Sequence, residues 1–140
     1  MDMSFGTRLK EARNRAGLQQ KELAVRSGVS LRTIQNWEGD KRRPSHFEAV
    51  ADVARVLGVS SAELLSEEDT RVIEASERGG SRGRRDVEAL IAEVSGLFAG
   101  GELDEEEKEG VIAALNQAYW EAREKNRKYT PKKYRGEGNE

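Results

Sequence analysis

Gln20–Trp37 reads QKELAVRSGVSLRTIQNW, and its spacing decides the fold. Leu23 and Ala24 form an apolar pair inside one short helix. Gly28 tolerates the positive φ that a helix C-terminus often needs, so the chain can turn there. Val29 packs inward just after the turn. Ser30 can then cap a second helix by satisfying the orphan N–H groups at its start. In that second helix Ile34 and Trp37 are three apart and share one face. Ala24 is small where the second helix must cross close to the first. With one face held by Ile34 and Trp37, the other carries Leu31, Arg32, Thr33 and Asn36, a set suited to the major groove of DNA.

The flanking residues extend this pattern. Phe5, Leu9, Ala12 and Ala16 have helical spacing and predict a helix from about Phe5 to Ala16, with Ser4 as N-cap and Gly17 as its stop. On the other side, Gly39-Asp40-Lys41-Arg42-Arg43-Pro44 puts three cations in a loop beside the DNA-facing helix. There they can neutralise backbone phosphates, which adds affinity and salt dependence but no sequence information. Ser45 and Glu48 read as the capping box of a helix that buries Phe47, Val50, Ala51, Ala54 and Leu57, with His46 exposed on its first turn. Gly58 ends that helix. Ser60 and Glu63 form a second capping box, and Leu64 and Leu65 close the core. On the DNA-facing helix Arg32 is the best base reader, because a guanidinium bonds both acceptors on a guanine edge. Thr33 and Asn36 can reach bases or phosphates, and Leu31 can touch a thymine methyl. Trp37, in register with Ile34, is core rather than a base-stacking residue.

Phe5–Leu65 resembles the phage-repressor and Cro-like helix-turn-helix family, often called the XRE family. The resemblance is carried by LKEAR at Leu9–Arg13, Leu18-Gln19-Gln20, Glu22-Leu23-Ala24, Gly28-Val29-Ser30, Ile34, Trp37-Glu38, Pro44, Leu57-Gly58-Val59 and Leu64-Leu65. It implies an all-α chain whose residues 1–65 form a five-helix, lambda-repressor-like DNA-binding domain. It implies that Arg13 pairs with Glu38 as an internal brace, with a DNA-phosphate contact as the rival role for Arg13. It implies that Gln20 contacts a phosphate or supports a recognition-helix side chain; a helix N-terminus offers N–H groups and positive dipole to the same phosphate. The expected phosphate-binding set is Gln20, Ser30, Lys41, Arg42 and Arg43. The best-known phage repressors place glutamines at the start of the recognition helix and this sequence does not, so their operator sequences do not carry over.

Beyond Leu65 the pattern breaks. Ser66–Arg85 is polar and ends in ERGGSRGRR; Gly79, Gly80 and Gly83 among arginines predict a flexible linker, with room for one helical turn at Val72 and Ile73. From Asp86 the stripe Val87, Leu90, Ile91, Val94, Leu97 and Phe98 predicts a helix that Gly100-Gly101 ends. Asp104 and Glu107 can cap the next helix, and the acidic run there suits its positive end. Val111, Ile112, Leu115, Ala118, Tyr119 and Ala122 form its stripe, running to about Lys128, and Pro131 bars continuation. Residues 86–128 are thus expected to form a helical hairpin. Such a hairpin buries little by itself, so a homodimer through a four-helix arrangement is expected, with Leu90, Ile91, Val94, Leu97, Phe98, Ile112, Leu115, Tyr119 and Trp120 at the interface. The alternative is a hairpin folded back on the DNA-binding domain. Trp120 lies roughly a third of a turn from Tyr119 and can cover a second face. The tail, 129–140, is basic and then polar, as a disordered or partner-binding segment would be. This half is also similar, more loosely, to repressors of mobile elements. That similarity implies inactivation by a partner zinc metallopeptidase cutting between Ser95 and Asp104, with an antirepressor that swaps into the hairpin as the rival partner.

Composition bounds the rest. The 140 residues are 36% hydrophobic and 36% charged, which fits small helical units with solvated faces better than one large core. There is no cysteine and a single histidine, His46, so thiolate and disulfide chemistry are excluded and no histidine metal site can form. Residues 1–65 hold 11 basic and 8 acidic side chains, 66–85 hold 5 and 5, and 86–140 hold 8 and 13. A basic head beside an acidic second part suits a DNA-binding head with a separate partner-binding region. The opening MDMSFGTRLK has no apolar signal core and no run is long enough for a membrane helix, so a soluble cytoplasmic protein is expected. No nucleophile–base set or Gly-rich phosphate loop is visible, so neither an enzyme nor a cofactor is expected. The expected function is a sequence-specific DNA-binding transcriptional regulator, a dimeric repressor of a two-fold symmetric operator. The alternative of another class is a protein–protein interaction adaptor built on the same head.

Overall fold

The structure, a computed structural model, describes residues 3–101 and 103–129. All its elements are helices: α1 (Phe5–Arg15), α2 (Gln20–Ser27), α3 (Leu31–Glu38), α4 (Phe47–Leu57), α5 (Ser61–Leu64), α6 (Glu67–Leu97) and α7 (Glu105–Tyr129). The chain divides into two compact units, the boundary falling between Glu77 and Arg78. Among the described residues no helix is long and apolar enough to cross a membrane. The expected tail lies outside the described residues, apart from Tyr129, which ends α7.

In the first unit, local signals set the helix starts. The Ser4, Ser30 and Ser60 hydroxyls accept from the backbone N–H groups of Thr7, Thr33 and Glu63 at 3.1, 3.1 and 3.2 Å. Gly28 ends α2 at φ 79° and Gly58 ends α4 at φ 71°, a conformation that costs a residue with a Cβ. The core joins Leu9 of α1, Leu23 of α2, Ile34 of α3, Val50 and Val53 of α4, and Leu64 of α5, all essentially inaccessible. Phe5 meets Trp37 edge-on with ring centroids 5.4 Å apart, a favoured aromatic geometry that ties α1 to α3.

Three expectations are corrected here. On α4 the buried stripe is Val50, Val53, Ala54 and Leu57; Ala51 is exposed and Phe47 only half-buried. Ser45 and Glu48 form no capping box. The helix begins at Phe47 with His46 at the N-cap, and the carboxylate of Glu77 accepts the Phe47 N–H at 3.0 Å, taking the place of a local cap. The third correction is the linker. Residues 67–79 are helical, started by a reciprocal pair in which Ser66 N–H donates to Asp69 Oδ2 and Asp69 N–H to Ser66 Oγ, both at 3.0 Å. Val72, Ile73 and Ala75 are buried, and Ile73 belongs to the core of the head. Removing this apolar surface from water offsets the entropy cost that the polar composition alone leaves uncovered. The break comes at Gly80, whose φ of 66° and ψ of −159° are open essentially to glycine alone.

The second unit is an antiparallel hairpin. Asp86 bonds Tyr119 and the Gly79 carbonyl bonds Arg123, so residue numbers rise along one helix as they fall along the other. Asp104 and Glu107 cap α7 reciprocally at 3.1 and 2.8 Å. Of the nine residues expected at a dimer interface, Ile91, Val94, Ile112 and Trp120 are buried within the single chain. Leu90, Phe98 and Tyr119 are half-buried, and only Leu97 and Leu115 are exposed, at 78% and 44%. Ala118 and Ala122 of the expected stripe are exposed as well. Trp120 covers no outer face. It packs at Gly79, where an added Cβ would lie 2.8 Å from the indole, and the Arg78 guanidinium sits 4.5 Å from its ring centroid. The hairpin register turns Trp120 inward because a glycine on the facing helix leaves room for it.

Candidate nucleic-acid interface

The outward surface of α3 is set by what its other surface buries. Ile34 and Trp37 are 0% and 4% exposed. Of the other side chains, Arg32 and Gln35 are exposed, Leu31, Thr33 and Asn36 are half-buried along the edges of the helix, and Glu38 turns inward. Ser30 is occupied as the N-cap, and its hydroxyl also lies 2.9 Å from the Thr33 hydroxyl. Both the backbone N–H and the hydroxyl of Thr33 are thus tied to Ser30 in the first turn.

The far end of α3 is closed by backbone. Asp40 N–H donates to the Trp37 carbonyl at 3.2 Å and Lys41 N–H to the Asn36 carbonyl at 2.9 Å, a Schellman arrangement with Asp40 at φ 57°. This turn sends Lys41, Arg42 and Arg43 out beside the helix, all three exposed. Pro44 behind them is buried, which anchors the loop. Thr33 and Asn36 of α3, Arg42 and Arg43 of the loop, and Ser45 and His46 line one concave groove of about 560 Å³. A groove that joins amide and hydroxyl groups on a helix to cations on an adjoining loop has the donor types that phosphates and base edges accept.

Under α3 lies a buried ionic joint. Arg13 donates to both carboxylate oxygens of Glu38, from Nε at 2.7 Å and from Nη2 at 2.8 Å, and from Nη1 to the Leu18 carbonyl at 2.9 Å. Gln20 Nε2 adds a third donor to Glu38 at 3.0 Å. The Arg13 and Glu38 side chains are 11% and 4% exposed. The hydrogen bonds to Glu38 raise the Arg13 pKa above its ordinary value, outweighing burial. The group joins the end of α1, the start of α2 and the end of α3. Both Arg13 and Gln20 are thus turned toward Glu38; the outward surface is left to α3 and the loop.

Sequence reasoning missed three residues that shape this surface. Gly6 allows α1 to reach the end of α3, since a Cβ there would fall 2.2 Å from the Trp37 carbonyl oxygen. Glu68, on α6, lies 3.6 Å from Arg43. Glu77, also on α6, holds the Phe47 N–H and lies 3.8 Å from His46 Nδ1. No local pattern announces any of them, because each acts on a partner distant in sequence.

Residues 4–67 match the family model described as a helix-turn-helix domain. Over 146 aligned residues, covering 99% of this chain and all of the relative, the chain is 29% identical to the immunity repressor protein of Bacillus phage phi105. It is 32% identical over 114 residues to the HTH-type transcriptional regulator ImmR of Bacillus subtilis (strain 168), covering 81% of this chain and 89% of that protein. No solved structure gives a significant match. The α3 surface, the closing turn and these relatives agree: the chain belongs to the phage-repressor-like helix-turn-helix family of transcriptional regulators.

Proposed function

We propose that this chain is a DNA-binding transcriptional repressor that acts as a homodimer on a two-fold symmetric operator. The observation that carries the reading is the juxtaposition on the head. One face of α3 is sealed into the core, the opposite one is open, and three exposed cations follow directly. Arg32, Thr33, Asn36 and Leu31 read base edges; Lys41, Arg42 and Arg43 hold phosphates, with Ser30 at the helix N-terminus adding backbone N–H groups. Gln20 serves through Glu38 rather than by touching DNA. Occupation of a promoter represses it, and the protein works in the cytoplasm, where the DNA is.

Dimerisation is needed because one small head buries little DNA. Joining two heads raises the effective concentration of the second and sets two recognition helices about one helical turn, ~34 Å, apart. The exposed Leu97 and Leu115, with half-buried Leu90 and Phe98, supply the apolar surface for pairing through the hairpin. Inactivation acts on the same region. The exposed Leu97 beside the turn into α7 suits entry of a regulatory metallopeptidase between Ser95 and Asp104, and an intact chain after incubation with one would exclude it.

Selection from a random DNA pool with the full chain tests the main reading. A two-fold symmetric site is expected. Arg32→Ala is then expected to lose about 1–3 kcal/mol on that site and little on mixed-sequence duplex. Recovery of no sequence above background at moderate salt would overturn sequence reading and leave the head as an interaction adaptor.

A further inference from the structure

The first half of α6 brings two carboxylates to the surface read above as phosphate-binding. Glu68 lies 3.6 Å from the Arg43 guanidinium. Glu77 accepts the Phe47 N–H at 3.0 Å, the first helical N–H of α4, and lies 3.8 Å from the His46 ring. Arg43 and His46 line the same groove as Thr33 and Asn36. The two carboxylates therefore hold a loop guanidinium and a helix N-terminal N–H, the two kinds of donor that DNA phosphates take in such interfaces. The side chains stay accessible: Arg43 and Glu68 are 39% and 34% exposed, His46 and Glu77 65% and 40%. Neither pair is locked by burial, unlike Arg13 with Glu38.

We propose that Glu68 and Glu77 act as internal phosphate surrogates, so that DNA gains these donors only by displacing the carboxylates of α6. This rests on the reading of the loop as a phosphate clamp. In the free protein Glu77 satisfies the Phe47 N–H and Glu68 pairs with the charge of Arg43. On DNA they become like charges beside phosphates, and their displacement lowers affinity for every sequence alike. The two residues would thus set the strength of binding without touching its specificity. That is useful to a repressor that has to leave its operator.

Glu68→Gln and Glu77→Gln test this with little risk to the fold. Glutamine keeps the shape, and at position 77 its amide oxygen can still accept the Phe47 N–H. Binding is measured at fixed salt on a mixed-sequence duplex and on the site recovered by selection, with thermal melts of each variant. Each substitution is expected to tighten binding about two- to fivefold on both DNAs, the change an exposed ion pair of ordinary strength carries. The gain from Glu68→Gln is expected to vanish in an Arg43→Ala background, where its partner is missing. Unchanged or weaker binding by Glu68→Gln, which holds no backbone group, would overturn the proposal even if Glu77→Gln failed to fold. Arg43→Ala with undiminished DNA affinity would overturn it differently, by removing the phosphate clamp on which it rests. Arg43→Ala that weakens binding while both glutamine variants match the parent leaves the clamp standing and the surrogates refuted.

Discussion

At the scale of single residues, the decisive joint is Glu38. Three side-chain bonds from Arg13 and Gln20 meet its carboxylate at 2.7–3.0 Å, in a site where it is 4% exposed. A buried pair of this kind is weak evidence for net stability against an apolar replacement, but breaking it is costly, because a buried guanidinium loses its counter-charge. Glu38→Ala is therefore expected to destabilise the protein by roughly 3 kcal/mol, read from urea or thermal unfolding followed by circular dichroism. An unchanged melting curve would show that Arg13 does not depend on Glu38. The likeness to the family pointed to this pair. It could not show that Gln20 joins the same carboxylate, since a glutamine at a helix start is equally suited to a phosphate.

At the scale of elements, α6 and α7 are held at Gly79 by a small polar and aromatic cluster. Arg123 donates to the Gly79 carbonyl and to the Tyr119 hydroxyl, both at 3.2 Å, and the Tyr119 hydroxyl donates to Asp86 at 2.7 Å. The break at Gly80 interrupts the helical hydrogen-bond ladder, and Arg123 supplies a donor to the carbonyl just before it. Burial first, and then the bond to Asp86, raise the Tyr119 pKa above the ordinary 10.0; Arg123 opposes the shift. A raised folded pKa means that the folded state holds this proton more tightly than the unfolded one. Its contribution is complete below the unfolded value near 10.0 and is lost as pH rises through the higher folded value. Alkaline titration by tyrosinate absorbance is expected to show one phenol ionising late, accompanied by loss of stability. In Tyr119→Phe both the late phenol and its share of the alkaline loss should disappear.

At the scale of the whole molecule, the head is longer than its five short helices. Ile73 is fully buried in the head core, and Val72 and Ala75 beside it are buried too. A chain ended at Leu65 removes Ile73 from that core, whereas one ended at Glu77 keeps it together with the Arg8–Asp69 contact at 3.8 Å. The shorter chain is expected to be less stable by about 2 kcal/mol or more, the cost of emptying one large apolar site. Urea unfolding of the two truncated chains checks this; equal midpoints would mean that α6 contributes nothing to the head.

The residues of Gln20–Trp37 by themselves determined the two helices of the motif, the turn at Gly28, the cap at Ser30 and the outward set on α3. Each follows from interactions within a few positions, where periodicity and capping are legible. The acidic cap of α7 at Asp104 and Glu107 was legible for the same reason. The tertiary structure decided what depends on a distant partner. Glu77 rather than Ser45 caps α4. Residues 67–79 become helix because Ile73 finds the head core and Val72 is buried beside it, although glycine and arginine nearby suggest a linker. Trp120 turns inward because Gly79 on the facing helix leaves space for an indole. In each case the local sequence permits more than one state, and burial against a residue remote in the chain selects among them.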